Sequence, residues 1–276
     1  MTALYSIEHI LNFDYTSPVQ SSVMTLHVHP LRERCQVVRQ FSLNTDPAGP
    51  LFEFNDPFGN TGHFFDRPGR HQRLTIIAKS TVEVEILDPA PNSQSHNGWQ
   101  SLESWSMTNP SRFVHCPPVL EKFMDTHDLH PEDEPLTSVR ELCRRLHQIF
   151  TYLPGSTQVD SPIEHILDTR QGVCQDYAHV MASILRHWGI PCRYVSGYLG
   201  PPEVGTVVGE SHAWVECWFP DTGWLGFDPT NDTEGDERHI RVAVGRDYGD
   251  VPPARGVFRG QAESSLGASV SIQRHP

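Results

Sequence analysis

TRQGVCQDYAHVMASILRHWGIP, residues 169–191, is the stretch around which the chain is organised. Val173, Tyr177, Val180, Met181, Ile184, Leu185 and Trp188 recur at helical spacing, and Gly189 with Pro191 stops the pattern. Cys174 stands at the entrance to this helix. A sulfur in the first helical turn faces unpaired N–H groups and the positive end of the helix dipole, and both favour a thiolate. Gly172, just before it, lets backbone or substrate approach closely. A cysteine so placed is not yet a nucleophile, and its partners decide the matter.

Downstream, three runs read as strands: Cys192–Leu199, His212–Phe219 and Trp224–Asp228. Pro201–Glu210, between the first two, reads as a polar loop. His212 opens the second run, where an imidazole can reach a neighbouring helix end. Asp228 closes the third, just before Pro229. Pro220-Asp221-Thr222-Gly223 is turn chemistry, so the second and third strands are expected to form a hairpin. That hairpin carries a demand. A strict four-residue loop would point His212 and Asp228 to opposite faces, whereas an odd loop or a bulge at Gly223 returns them to one face.

Upstream, Val139, Leu142, Cys143, Leu146, Ile149 and Phe150 form one helical stripe within Leu136–Phe150. Ser138 followed by Glu141 reads as its capping box, and the Tyr152–Gly155 segment ends it. Residues up to about 87 alternate as antiparallel strands. Tyr5, Ile7, His9, Leu11, Phe13 and Tyr15 form one run, and Met24, Leu26 and Val28 a second. Val37, Phe41 and Leu43 follow, then Leu74, Ile76 and Ala78, then Val82, Val84 and Ile86. Asp56-Pro57-Phe58-Gly59-Asn60 is a turn. Short strands punctuated in this way predict a small β-sandwich. From Asp88 to about Ser111 the composition turns to Pro, Asn, Ser, Gln and His, a linker or surface crossing in which Trp99 and Trp105 pack on something. After Pro229 the chain is acidic, then strand-like at His239–Val244 and Val270–Ile272, with an irregular loop over 250–256. Helices followed by antiparallel strands make an α+β unit. The expected boundaries are 1–90 for the β-sandwich, 91–111 for the linker and 112–276 for the catalytic domain.

The 276 residues are 37% hydrophobic and 20% charged, the composition of a globular protein. A formal charge of −13 argues against a nucleic-acid or anionic-membrane partner, since both need a basic face. No apolar run is long enough to span a bilayer, and the N-terminal stretch lacks the marks of a secretion signal, so a cytoplasmic location is expected. Six cysteines at irregular spacing, without C-x-x-C, form neither a disulfide framework nor a zinc ribbon. Cys143 and Cys217 fit the pattern of small buried hydrophobes. His27 and His29 stand i,i+2 on a strand without H-E-x-x-H, and the acidic run 228–237 lacks EF-hand spacing, so no metal or cofactor is expected. Composition says nothing about oligomeric state.

The blocks GVCQDYAH (172–179), SHAWVECWF (211–219) and GWLGFDPTND (223–232) resemble the three motifs of the transglutaminase-like superfamily, in the same Cys, His, Asp order. DPFGN (56–60) and LTIIAKSTVEV (74–84) are similar to the β domain that precedes this module in bacterial members, and residues 239–256 resemble their C-terminal stretch. The resemblance implies a papain-like catalytic domain packing helices on an antiparallel sheet. It implies Cys174 as nucleophile, His212 as general base and acid, and Asp228 as the carboxylate that orients the imidazole. The backbone N–H of Cys174 is the first oxyanion donor, with Tyr152 and Gln158 as candidates for the second. Trp214 shares the face of His212 and either walls the site or packs within the sheet. The expected activity is acyl transfer from a peptide, isopeptide or side-chain amide through a thioester, with hydrolysis favoured over transfer to an amine. A non-catalytic scaffold is the rival class; degenerate members lose a triad residue, and all three candidates are present.

Overall fold

A computed structural model describes residues 2–85 and 106–276. Ile86, Trp99, Trp105 and most of the expected linker lie outside the described residues. The N-terminal region is antiparallel β, but built from two long strands where several short ones were expected. β1 (Thr2–Leu26) and β4 (Thr61–Glu85) pair along their lengths, from Thr2 opposite Glu85 to Leu26 opposite His63. The register shifts between Asp14 and Ser21. Pro18 lies in this interval, and a residue without an N–H is tolerated at such an irregularity. β2 (Gln36–Asp46) pairs with the far half of β4, and β3 (Phe52–Asn55) with its near half. The two halves close around a core of Leu11, Tyr15, Met24, Phe65, Leu74 and Ile76, so one coiled sheet encloses the space that two sheets would.

Four helices follow among the described residues: α1 (Pro118–Thr126), α2 (Pro135–Ile149), α3 (Ile163–Thr169) and α4 (Cys174–His187). A two-residue parallel bridge joins β5 (Thr151–Tyr152) to β6 (Gln171–Gly172). The remaining strands are β7 (Cys192–Leu199), β8 (Gly205–Gly209), β9 (His212–Phe219), β10 (Gly223–Asp228), β11 (Thr233–Glu234), β12 (His239–Gly245), β13 (Ala254–Arg259) and β14 (Ser264–Arg274). A five-stranded sheet runs β11-β10-β9-β7-β12, and α4 packs on it through Ala178, Val180, Met181, Ile184 and Leu185. The other face of α4 is buried as well. The Arg186 guanidinium donates to the carbonyls of Asn109, Cys192 and Arg246, and His179 accepts the Tyr248 N–H. A helix covered on all sides is a fixed mount for its first residue.

Several local expectations change. Glu134, not Ser138, caps α2: its carboxylate accepts the Thr137 N–H, while Ser138 lies inside the helix and accepts from Glu132. Pro201–Glu210 is not all loop, because β8 pairs with β14. The stretch 250–256 includes the start of β13. Both C-terminal strands pair with β1, β14 from Tyr5–Arg274 to Tyr15–Ser264 and β13 from Ser21–Arg259 to Leu26–Ala254. The larger sheet therefore has the order β2-β4-β1-β14-β8, and strands assigned by sequence to the catalytic domain belong to the N-terminal sheet.

The two sheets share one interior. Tyr5, Ile7, Val82, Val84, Val270 and Ile272 join the core that holds Leu142, Tyr177 and Tyr198. Two side-chain amides also serve the free edge of β12. Asn60 accepts the Val244 N–H and donates to its carbonyl, both at 2.8 Å, and Gln36 does the same for Arg241 at the same distance. Each amide thus replaces one residue of a neighbouring strand. Asn60 is presented by the 56–60 turn, where Asp56 accepts the N–H groups of Phe58 and Asn60 and Gly59 takes φ 83°. No helix among the described residues is long and apolar enough to cross a membrane.

Asn60→Ala leaves both polar groups of a buried strand residue unpaired, at about 1–3 kcal/mol for each group stranded away from water. Urea unfolding should show this as a lowered midpoint, while Phe52→Ala, at an exposed position, should stay within about 0.5 kcal/mol of wild type. Equal midpoints for the two variants would remove the edge-pairing role of Asn60.

Candidate active site

Cys174 is the first residue of α4, entered from an extended Val173 at φ −114° and ψ 178°. Asp176, one turn in, locks that entry: its Oδ2 accepts the Val173 N–H at 2.8 Å and the Thr157 hydroxyl at 2.6 Å. Burial raises the Asp176 pKa, and the hydroxyl and N–H donors oppose the rise. Gly172 is required by close packing. A Cβ there would lie 2.7 Å from Ile166 Cδ1 and 3.0 Å from Asp176, so the space serves the helix entry. The β5–β6 bridge sets Tyr152 opposite Gly172. Burial and then the Cys174 charge raise the Tyr152 phenol.

The hairpin meets its register demand. Phe219 pairs with Gly223 and Val215 with Phe227, which leaves Pro220, Asp221 and Thr222 as an odd-length connection. Gly223 takes φ 80°, a conformation that glycine adopts without strain. His212 and Asp228 therefore fall on one face, with His212 Nε2 2.7 Å from Asp228 Oδ2. Burial works against a charged imidazole, but the bonds to Asp228 and Cys174, with the charges on both, push the His212 pKa up to about 10.

Asp228 is fully buried and richly served. Burial alone would raise its pKa; hydrogen bonds from His212, His239 and Asn231 hold it far below the usual carboxylate range. Its Oδ1 accepts the Thr230 N–H at 2.9 Å, and its Oδ2 accepts the Asn231 side-chain amide at 2.7 Å. His239 lies 3.4 Å from Oδ2 and, through its other nitrogen, 2.8 Å from Asp236 Oδ1. Burial lowers the His239 pKa, but these two carboxylates outweigh it and leave the value raised.

Of the residues named from sequence, His212 and Asp228 meet directly at 2.7 Å, and Cys174 contributes to the raised pKa of His212 and Tyr152. Trp214 lies beneath them with no exposed surface, its ring 6.0 Å from that of His212 and 5.2 Å from that of His239. It backs the imidazole and does not line an open wall. Gln158 is exposed on the loop before α3, and its side chain makes no hydrogen bond among the described residues. The neighbouring Gln175 ties that loop to α4 by donating to the Val159 carbonyl at 2.9 Å. Asn231, His239 and Asp176 were missed. Asn231, three residues after Asp228, carried a turn signal; His239 was one of 16 histidines and had none. All six cysteines are free, and burial raises the thiols of Cys143, Cys192 and Cys217.

Residues 126–229 match the family model of the transglutaminase-like superfamily, and residues 5–83 that of the bacterial transglutaminase-like N-terminal region. An uncharacterized protein of Mycobacterium leprae is 36% identical over 277 residues, covering 97% of this chain and 98% of that one. The chain belongs to the transglutaminase-like superfamily. A further uncharacterized relative, from Mycobacterium tuberculosis, is 34% identical across 100% of this chain and 93% of its own length. A protein-glutamine gamma-glutamyltransferase of Pseudomonas aeruginosa is 42% identical over 106 residues, 35% of this chain but 16% of that protein. The crystal structure of a proposed cysteine protease from Cytophaga hutchinsonii superposes with a TM-score of 0.76 at 19% identity, covering 100% of this chain and 98% of that one, which shows a shared fold.

The raised pKa of His212 has a consequence for stability. Unfolded histidine titrates near about 6.5. The stabilisation from the charged imidazole is therefore complete below that value and is lost as pH rises toward about 10. The margin in urea midpoint of wild type over His212→Gln should shrink from pH 6.5 to 9.5. A margin that stays constant over this range would contradict the raised pKa.

Proposed function

We propose that this protein is a cysteine-dependent acyl-transfer enzyme that hydrolyses a peptide, isopeptide or side-chain amide bond through a thioester. The reading rests on the 2.7 Å contact between His212 and the Asp228 carboxylate, with Cys174 acting on the same imidazole. With Nε2–H held by Asp228, Nδ1 is the nitrogen left to take the thiol proton. The thiolate attacks the carboxamide carbon, and the carbonyl oxygen becomes an oxyanion. The Cys174 N–H, at the start of α4, is the first candidate donor to that charge, and the Tyr152 hydroxyl is the second. When the C–N bond breaks, the imidazolium returns its proton to the departing amine. Water then enters, gives a proton to His212 and attacks the thioester carbon. The acid is released and the thiol is restored.

Asp228 keeps the imidazole in the tautomer this sequence needs, and Asn231 and His239 hold Asp228. The buried thiols of Cys143, Cys192 and Cys217 sit in the core and do not compete as nucleophiles. A peptide or protein is the substrate class this reading requires, and a cytoplasmic location remains part of the proposal. A second reading has one observation in its favour: the 42% identity to a protein-glutamine gamma-glutamyltransferase over 106 residues. In that reading a primary amine replaces water in the second half of the reaction, and the first half is unchanged.

Incubation with a glutamine-containing peptide library, with and without a primary amine donor, followed by mass spectrometry, separates the outcomes. Cleaved or deamidated peptides in both conditions support hydrolysis; amine adducts without hydrolysis support transamidation. Cys174→Ala should abolish both, and Asp228→Asn should lower kcat by about 10²–10⁴-fold, because the imidazole loses its tautomer. Iodoacetamide near neutral pH should label Cys174 ahead of the other five cysteines, and His212→Ala should slow that labelling. Equal labelling of all six would remove the activated thiolate on which the proposal depends.

A further inference from the structure

Cys116, Glu121 and His187 lie at the opposite end of α4 from Cys174, and nothing in the proposed chemistry uses them. The sulfur, a carboxylate oxygen and a ring nitrogen all lie within 4.8 Å of one another. Among the described residues, none of the three heads makes a hydrogen bond or an ion pair with another side chain. From this arrangement we infer that Cys116, Glu121 and His187 form a binding site for a zinc-class divalent ion, with solvent as the fourth ligand.

The placement is built into the fold. Pro117 caps α1 and Pro118 is its first residue, so Cys116 precedes the cap and Glu121 is the fourth helical residue. Side chains at these two positions meet across the first turn of a helix, as in the hydrophobic staple. His187 is the last residue of α4. The segment leading to Cys116 is pinned to this end of α4 by its neighbour Arg186, whose guanidinium reaches the Asn109 carbonyl at 3.1 Å and the Ser111 hydroxyl at 3.3 Å. Cys192 adds a backbone bond to Met107 at 3.1 Å, and the Phe113 N–H is held by Asp247 at 2.9 Å. Arg186 and Asp247 are themselves buried, so the approach of the two helix ends does not depend on surface contacts.

The donor set selects the ion. Thiolate, imidazole and carboxylate together suit zinc and its neighbours in the first transition series, and a thiolate disfavours magnesium and calcium. Zinc–ligand bonds of about 2.0–2.3 Å would draw the three heads inward. Cys116 is partly buried, and Glu121 and His187 are exposed and free to make that adjustment. The 14 residues of α4 separate this site from Cys174 by about 20 Å. The ion would clamp α1 to α4 and leave the reacting atoms untouched.

The test uses the full chain carrying Cys174→Ala, which removes the thiol of the candidate active site and makes the result independent of the proposed catalysis. Cobalt(II) should bind at one equivalent with a sulfur-to-cobalt charge-transfer band in the near ultraviolet, and zinc should displace it. Added Cys116→Ser should abolish the band, and His187→Gln or Glu121→Gln should weaken binding at least tenfold. Zinc should raise the melting temperature of the parent and not of the Cys116→Ser variant, with magnesium and calcium inert in both. Absence of the band, or its persistence in Cys116→Ser, would overturn the site.

Discussion

A carboxylate removed from water imposes the main constraint on this molecule. Asp228 has no exposed surface, and an isolated charge in that position would cost more than a domain can offset. The charge is held by donors from several directions: two backbone N–H groups and an amide from the turn that follows it, His212 from the adjacent strand and His239 from β12. His239 is in turn engaged by Asp236. The cluster runs carboxylate, imidazole, carboxylate, imidazole, from Asp236 through His239 and Asp228 to His212. Removal of any member leaves a neighbour buried without its partner, so the geometry around His212 is over-determined.

The rest of the fold keeps this cluster in place. The three-residue turn 220–222 sets which face His212 and Asp228 share. Behind them the fully buried Trp214 fills the space against His212 and His239. On the same strand, Glu216 is buried between Arg193 on β7 and Arg241 on β12, and these charges tie three strands together. The edge of β12 is finished by Asn60 and Gln36 from the N-terminal sheet. An open edge would invite pairing with another chain, and here two amides occupy it. The N-terminal region is therefore structurally joined to the part that carries this cluster, through a shared core as well as through this edge.

Much of this could be read from the residues alone. Cys192–Leu199 and His212–Phe219 coincide with β7 and β9, and α4 begins at the cysteine singled out for it. These segments carry dense local patterns bounded by turn residues. The short helices α1 and α3 were not anticipated, because nine and seven residues hold too few turns for a period to stand out. β8 was read as loop because its Val207 and Val208 are exposed and only its pairing with β14 defines it as a strand. His239 was invisible for a similar reason. Its partners Asp228 and Asp236 are near in sequence, but only the sheet turns the three toward one another.

The pairing of β1 with β14 sets the order in which the molecule can be completed. Tyr5 sits opposite Arg274, and the His275 N–H reaches the Leu4 carbonyl at 2.9 Å. During synthesis the first strand has left the ribosome long before its central partner exists. Until β14 emerges, β1 has β4 on one side and an unpaired ladder on the other, exposed to any other extended chain nearby. Closure of so long a loop also slows folding relative to a chain of the same size with local contacts. The helices and the smaller sheet, drawn from the middle of the chain, can assemble meanwhile. The helix that carries Cys174 can thus form before the sheet that braces it is complete.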